Sequence, residues 1–204
     1  MTLRPGVADQ ERVILVIGDS LSAAYRMELA ESWPRLLQNR LLQDGYPWRV
    51  FNSSIVGDTT EGGLTRLPRL LSELQPQVVI IELGGNDGLR GLSLQVTRRN
   101  LDSMIRQSQA AGAGVVLAGV YLPPNYGHTY TERFSAVFTE LAAQHPGIGF
   151  VPFILEGVAL DPALMQDDGI HPTAAAQAQL LANVWPALAP WLNDVPATRE
   201  MGSE

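Results

Sequence analysis

The sequence predicts a three-layer α/β/α fold around a parallel sheet of about five strands. Three observations carry that expectation. Short apolar runs rich in β-branched residues recur along the chain, and a longer segment of helical character follows each one. The run VVIIEL at 78–83 shows no polar alternation, as expected of a strand buried on both faces. Gly, Asp, Asn and Ser cluster just after the runs rather than within them.

The first strand is expected at 13–17, VILVI, and it runs into Gly18-Asp19-Ser20. A helix is expected near 32–43, then a strand at 49–52 and a helix at 61–73. The buried strand at 78–83 is followed by a helix at 94–111, a strand at 115–121 and a helix at 131–144. A weaker strand at 149–151 precedes a last amphipathic segment at 173–192, just after His171-Pro172. Such alternation implies parallel strands with helices on both faces. No compositional break, repeat or low-complexity tract divides the 204 residues, a length that suits one domain with a full core. The chain therefore reads as a single domain over 1–204, with its core at about 12–192 and polar tails, the stretch 193–204 being expected to fray.

Composition excludes several function classes. A net charge of −7 and the lack of any Lys/Arg run argue against a nucleic-acid surface. With no cysteine there is no disulfide, thiol nucleophile or thiolate metal site. The three histidines show no metal-ligand spacing, which argues against a zinc hydrolase. Apolar runs such as VILVIG and VVIIELG are far shorter than a membrane span, so no stable membrane insertion is expected. The start, MTLRPGVADQERV, has no apolar signal region. The expectation is a soluble protein, cytoplasmic as the chain stands and periplasmic if a leader has been removed.

In open parallel sheets, ligands bind outside the carboxyl ends of the strands. Four loops fall there: Gly18-Asp19-Ser20, the stretch from Asn52 to Asp58, Gly84-Gly85-Asn86-Asp87-Gly88, and the stretch from Asp167 to Pro172. Each has a plain structural reading. Ser20 could cap a helix, Gly57 and Gly84-Gly85 could allow turns, and Asn86-Asp87-Gly88 resembles an ordinary turn. Asp168 could cap the last helical region and His171 could be a surface histidine. The functional reading asks for a nucleophile, a base, an acid that orients the base, and oxyanion donors. Of the histidines, His145 falls at an expected helix end and His128 has no acid immediately beside it. His171 alone joins a strand-end loop to nearby carboxylates. Asp168, three residues before it, could reach one imidazole nitrogen through a compact turn, with Asp167 as the rival acid. The Ser20 amide, the Gly57 amide and the Asn86 side chain could supply three oxyanion donors.

Gly18-Asp19-Ser20-Leu21, the lone Gly57, Gly84-x-Asn86-Asp87 and Asp168-x-x-His171 occur in this order. Together they resemble the four signature blocks of the SGNH (GDSL) hydrolases, named for their Ser, Gly, Asn and His. Longer stretches, Gly57-Asp58-Thr59-Thr60, Leu122-Pro123-Pro124-Asn125-Tyr126-Gly127 and Met165 to Pro172 among them, look like the bacterial arylesterase and thioesterase I/lysophospholipase branch. The resemblance runs from about Val13 to Leu192. It implies a flavodoxin-like fold, Ser20 as nucleophile, His171 as base, Asp168 as acid, and Ser20, Gly57 and Asn86 as oxyanion hole. Members of that branch are commonly exported, a habit this N-terminus does not display.

The expected reaction is hydrolysis of carboxylic esters or thioesters through an acyl-enzyme, with no metal or organic cofactor. Expected partners are small acyl esters or thioesters. Leu21, Leu89, Leu92, Ile170 and Pro172 flank the signature blocks, and Tyr121, Pro124, Asn125 and Tyr126 lie at another strand end. These residues and Asp19 are candidates for the substrate site, and Arg90 is a candidate contact for a phosphate or CoA head group. Two other readings are an acetylesterase acting on carbohydrates and a non-enzymatic flavodoxin-like module that cradles a phosphate. The second leaves the Asp168/His171 pair unexplained.

Overall fold

The computed structural model describes residues 12–192, so the tail expected to fray at 193–204 lies outside the described residues. Five strands, β1 (Arg12–Gly18), β2 (Trp48–Asn52), β3 (Val78–Glu82), β4 (Gly114–Ala118) and β5 (Gly149–Val151), form one parallel sheet in the order β2-β1-β3-β4-β5. This is the doubly wound order of flavodoxin-like folds. In the register, Val16 pairs with Asn52 and Gly18 with Glu82, so the carboxyl ends of neighbouring strands share one edge.

Among the described residues, six helices accompany the sheet: α1 (Trp33–Gln43), α2 (Thr60–Leu74), α3 (Gly85–Leu89), α4 (Leu94–Ala110), α5 (His128–Gln144) and α6 (Gln177–Leu188). Helix α1 packs against α6 on one face, while α2, α4 and α5 pack in sequence on the other. The spacing of the buried residues explains these contacts. Trp33, Leu37 and Leu41 stand four apart along α1, which puts all three on one stripe facing the sheet. The central strands have no polar face, and Ile14, Leu15, Val16 and Ile17 are fully buried beside Val79, Ile80 and Ile81. Among the described residues, no helix is long and apolar enough to cross a membrane.

Three segments depart from the sequence expectation. The turn expected around Asn86 is the short helix α3, which Gly84 starts from a left-handed conformation (φ 117°). A side chain at Gly84 would also press on the Phe138 ring, 3.1 Å from the position of its Cβ. Strand β4 stops at Ala118 rather than 121, because its neighbour β5 offers only three residues to pair with. The segment expected at 173–192 is divided into a 3-10 turn at Ala174–Ala176, α6, and a second 3-10 turn at Ala189–Leu192.

Candidate active site

The turn after β1 rests on a buried carboxylate. Glu82, the last residue of β3, is fully buried. Its Oε2 accepts a hydrogen bond from the Ser22 hydroxyl (2.7 Å) and a longer one from the Asp19 amide (3.3 Å). Trp33 Nε1 in turn donates to Ser22 Oγ at 3.1 Å. A Cβ at Gly18 would lie 2.8 Å from Glu82 Oε2 and 2.9 Å from Ser54 Oγ, so a side chain here would displace the buried acid. The chain then makes several turns before α1, and Ser20 caps no helix.

Asp19 is 2% exposed and ties the turn to α3. Its Oδ1 accepts from the Leu21 amide at 3.1 Å and its Oδ2 from Asn86 Nδ2 at 3.1 Å. Burial pushes the Asp19 carboxyl up to about 7, against the lowering effect of these two donors. Glu82 is raised well above its ordinary value too, first by burial and then by the neighbouring Asp19. Two acids that resist ionisation thus underlie the Ser20 turn.

Ser20 meets a second element from the far end of the chain. His171 Nε2 lies 2.8 Å from Ser20 Oγ, and His171 Nδ1 lies 2.9 Å from Asp168 Oδ2. A tight hairpin presents both residues: Met165 and Pro172 form an antiparallel bridge, and the Gln166 amide donates to the His171 carbonyl at 2.7 Å. Asp168 Oδ1 accepts from the amides of Ile170 (3.0 Å) and His171 (2.9 Å). Burial alone would raise the Asp168 carboxyl, but the two amide donors and the imidazole outweigh it and lower it to about 2.

Gly57 and Asn86 are held by networks of their own. The Ile55 amide donates to the Gly18 carbonyl at 3.1 Å, which joins the loop after β2 to the end of β1. Arg66 of α2 pairs with Asp58 and donates to the carbonyls of Gly18 (3.3 Å) and Ser53 (3.1 Å). Asn86 is fixed by its neighbour Asp87, a buried carboxylate that accepts from the Thr60 amide (2.9 Å) and the Thr97 hydroxyl (3.2 Å). Neither the Ser20 nor the Gly57 amide donates to any group among the described residues.

A largely apolar cavity of about 420 Å³ opens beside Ser20, and Asp19, Leu21, Asn86, Leu89, Ile170 and His171 are part of its wall. Tyr121 and Pro124 also line it, as do Phe153, Leu155 and Leu160, which the sequence did not single out. Asn125, Tyr126, Leu92 and Pro172 lie outside the lining. Tyr126 instead donates to the Leu89 carbonyl at 3.1 Å, and Pro172 is buried in the hairpin bridge. Arg90 is engaged too, its guanidinium donating to the Gly57 carbonyl at 2.7 Å.

The other histidines stand apart from this site. His145 Nε2 is 2.6 Å from Asp102 between α4 and the end of α5, and His128 pairs with Glu132 on the exposed start of α5. The sequence reading missed Glu82, Arg66, Gln166 and Tyr25, whose ring lies against His171. Glu82 alone left a local signal, an acid ending an otherwise unbroken apolar run.

A serine, an imidazole and a carboxylate in hydrogen-bonded series at the carboxyl edge of a doubly wound sheet define a hydrolase-type site. The chain belongs to the GDSL-like lipase/acylhydrolase family, whose model matches residues 16–179. It is 53% identical over 181 residues to the esterase TesA of Pseudomonas aeruginosa, covering 89% of this chain and 90% of that one. It is 43% identical over 196 residues to the thioesterase 1/protease 1/lysophospholipase L1 of Escherichia coli strain K12, covering 94% and 85%. A crystal structure of TesA superimposes with a TM-score of 0.86 at 53% identity, over 89% of this chain and all of that one (100%).

Proposed function

We propose that the protein hydrolyses carboxylic esters and thioesters of acyl chains through an acyl-enzyme on Ser20. The observation that carries this is the placement of His171 Nε2 at 2.8 Å from Ser20 Oγ with Asp168 at the opposite ring nitrogen. An ionised carboxylate can only accept, so Asp168 keeps the proton on Nδ1 and leaves the Nε2 lone pair to accept from the Ser20 hydroxyl. Ser20 Oγ then bonds to the substrate carbonyl carbon as its proton passes to Nε2. The tetrahedral oxyanion is met by the amides of Ser20 and Gly57 and by the Asn86 hydrogen not used by Asp19. Collapse expels the alcohol or thiol, which takes the proton from His171. Water repeats the sequence to release the acid and restore Ser20.

The apolar cavity beside Ser20 supports an acyl chain as the recognised part of the substrate, in preference to an acetylated sugar. The test is hydrolysis of p-nitrophenyl butyrate by the protein and by Ser20→Ala. The variant should lose on the order of a thousandfold or more in kcat, and a fluorophosphonate should form an adduct on Ser20 in the unsubstituted protein only. Equal rates in the two proteins would overturn the assignment.

A further inference from the structure

The turn segment before α1 carries a side chain that the reaction scheme above leaves without a role. The Tyr25 ring lies 4.3 Å from the His171 ring, centroid to centroid, at an interplanar angle of 41°. Both residues beside it, Ala24 (φ 58°) and Arg26 (φ 53°), are in the left-handed region although each has a Cβ. Such conformations are unfavourable for non-glycine residues and persist only where surrounding contacts enforce them.

The enforcing contact is visible. Gln166 Nε2 donates to the Tyr25 carbonyl at 3.0 Å and to the Pro172 carbonyl at 2.9 Å. One amide nitrogen therefore ties the tyrosine segment to the hairpin that presents His171. The Met27 amide closes the turn on the Ala24 carbonyl at 3.2 Å, and the Arg26 guanidinium sits 5.1 Å from the Tyr25 ring centroid.

We propose that Tyr25, anchored by Gln166, is a positioning residue that holds the His171 imidazole in line with Ser20. The inference rests on the roles proposed above for Ser20 and His171. Asp168 and Ser20 hold the imidazole at its two edge nitrogens, and neither contact packs against the body of the ring. The Tyr25 ring, 4.3 Å away and tilted by 41°, supplies that packing and limits displacement of the imidazole out of line. The negative face of the phenol also attracts the imidazolium formed when His171 takes the Ser20 proton, a state that exists only along the reaction path. The ring makes this contact, so phenylalanine should serve nearly as well.

The test compares Tyr25→Leu and Tyr25→Phe on p-nitrophenyl butyrate, with kcat normalised to the sites titrated to completion by a fluorophosphonate. Tyr25→Leu should lower kcat by on the order of ten- to a hundredfold and leave KM within about twofold, because the lost interaction belongs to the transition state. Tyr25→Phe should restore most of kcat. On the residual activity of His171→Ala, adding Tyr25→Leu should change nothing, since the tyrosine acts through the imidazole. Should Tyr25→Leu fail to fold, Gln166→Ala, which frees the segment and keeps the ring, should lower kcat in the same direction. Wild-type kcat in Tyr25→Leu beside a large loss in His171→Ala would overturn this inference alone. So would an equal loss from Tyr25→Leu in the His171→Ala background, the mark of a purely structural role. Wild-type activity in His171→Ala would overturn the His171 assignment and this inference with it.

Discussion

Asp168 illustrates how much a single carboxylate can be made to do by its donors. Two backbone amides fix Oδ1, which leaves Oδ2 to the imidazole. Its carboxyl is lowered to about 2 from an ordinary 3.8. A depressed acid contributes stability that is complete above its unfolded value and is lost as pH falls through the folded one. The hairpin is thus strengthened at every pH above about 3.8 and weakens only in strong acid, between about 4 and 2. Asp167, next to it, makes no comparable set of bonds among the described residues. Replacing Asp168 by Asn should therefore lower kcat on p-nitrophenyl butyrate by on the order of a thousandfold or more, by leaving the imidazole in the wrong tautomer. Asp167→Asn should stay close to the unsubstituted rate. Equal losses at the two positions would refute the assignment of the acid.

At the scale of elements, β3 delivers an acid to a place where ionisation is unfavourable. Glu82 Oε1 is buried with no partner among the described residues, while Oε2 supports the Ser20 turn through Ser22 and Asp19. Its carboxyl is raised above an ordinary 4.5, so above that pH the folded protein holds a proton that the unfolded chain has lost. The contribution of Glu82 to stability must then fall as pH rises past about 4.5. Glu82→Gln cannot ionise, so its thermal midpoint should gain on the unsubstituted protein as pH rises from about 4.5 toward neutrality. A gap that stays flat or narrows over that range would refute the reading. The element order itself was legible in the sequence, because period and burial are local properties of a strand such as 13–17 or a helix such as 94–111. Helix α3 was not, since Asn86-Asp87-Gly88 suits a turn equally well and only Thr60 and Thr97, on other helices, decide between the two. Ser20, His171 and Asp168 could be named because one of only three histidines follows a carboxylate by three residues in a loop before the last helix, and because the four signature blocks occur in order. Tyr25 and Gln166 could not, because their contacts join segments separated by more than a hundred residues and leave no periodic trace.

The whole molecule sets the size of the proposed acyl site. Leu21 follows β1, Leu89 closes α3, Leu122 follows β4, Phe153 and Leu155 follow β5, and Ile170 belongs to the hairpin. No two adjacent elements could build this cavity, which exists because the parallel sheet gathers the connections after β1, β3, β4 and β5 at one edge. An acetyl group fills little of about 420 Å³, whereas each added methylene exchanges water for apolar wall. Burial of one methylene contributes about 0.8 kcal/mol, close to fourfold in kcat/KM. Across a series of p-nitrophenyl esters, kcat/KM should therefore climb by a few-fold per methylene from acetyl upward and level off once the cavity is full. A profile that peaks at acetyl would favour the carbohydrate acetylesterase reading instead. In the proposed mechanism, oxygen esters and thioesters of one acyl chain share the same Ser20 acyl-enzyme and differ only in the group expelled before it. Where hydrolysis of that intermediate limits turnover, the two should converge on one kcat while differing in KM. Steady-state rates on matched p-nitrophenyl and acyl-thioester pairs, with a pre-steady-state burst to show which step is slow, check this. Unequal kcat values despite a full burst in both would mean that the two ester types do not pass through a common intermediate.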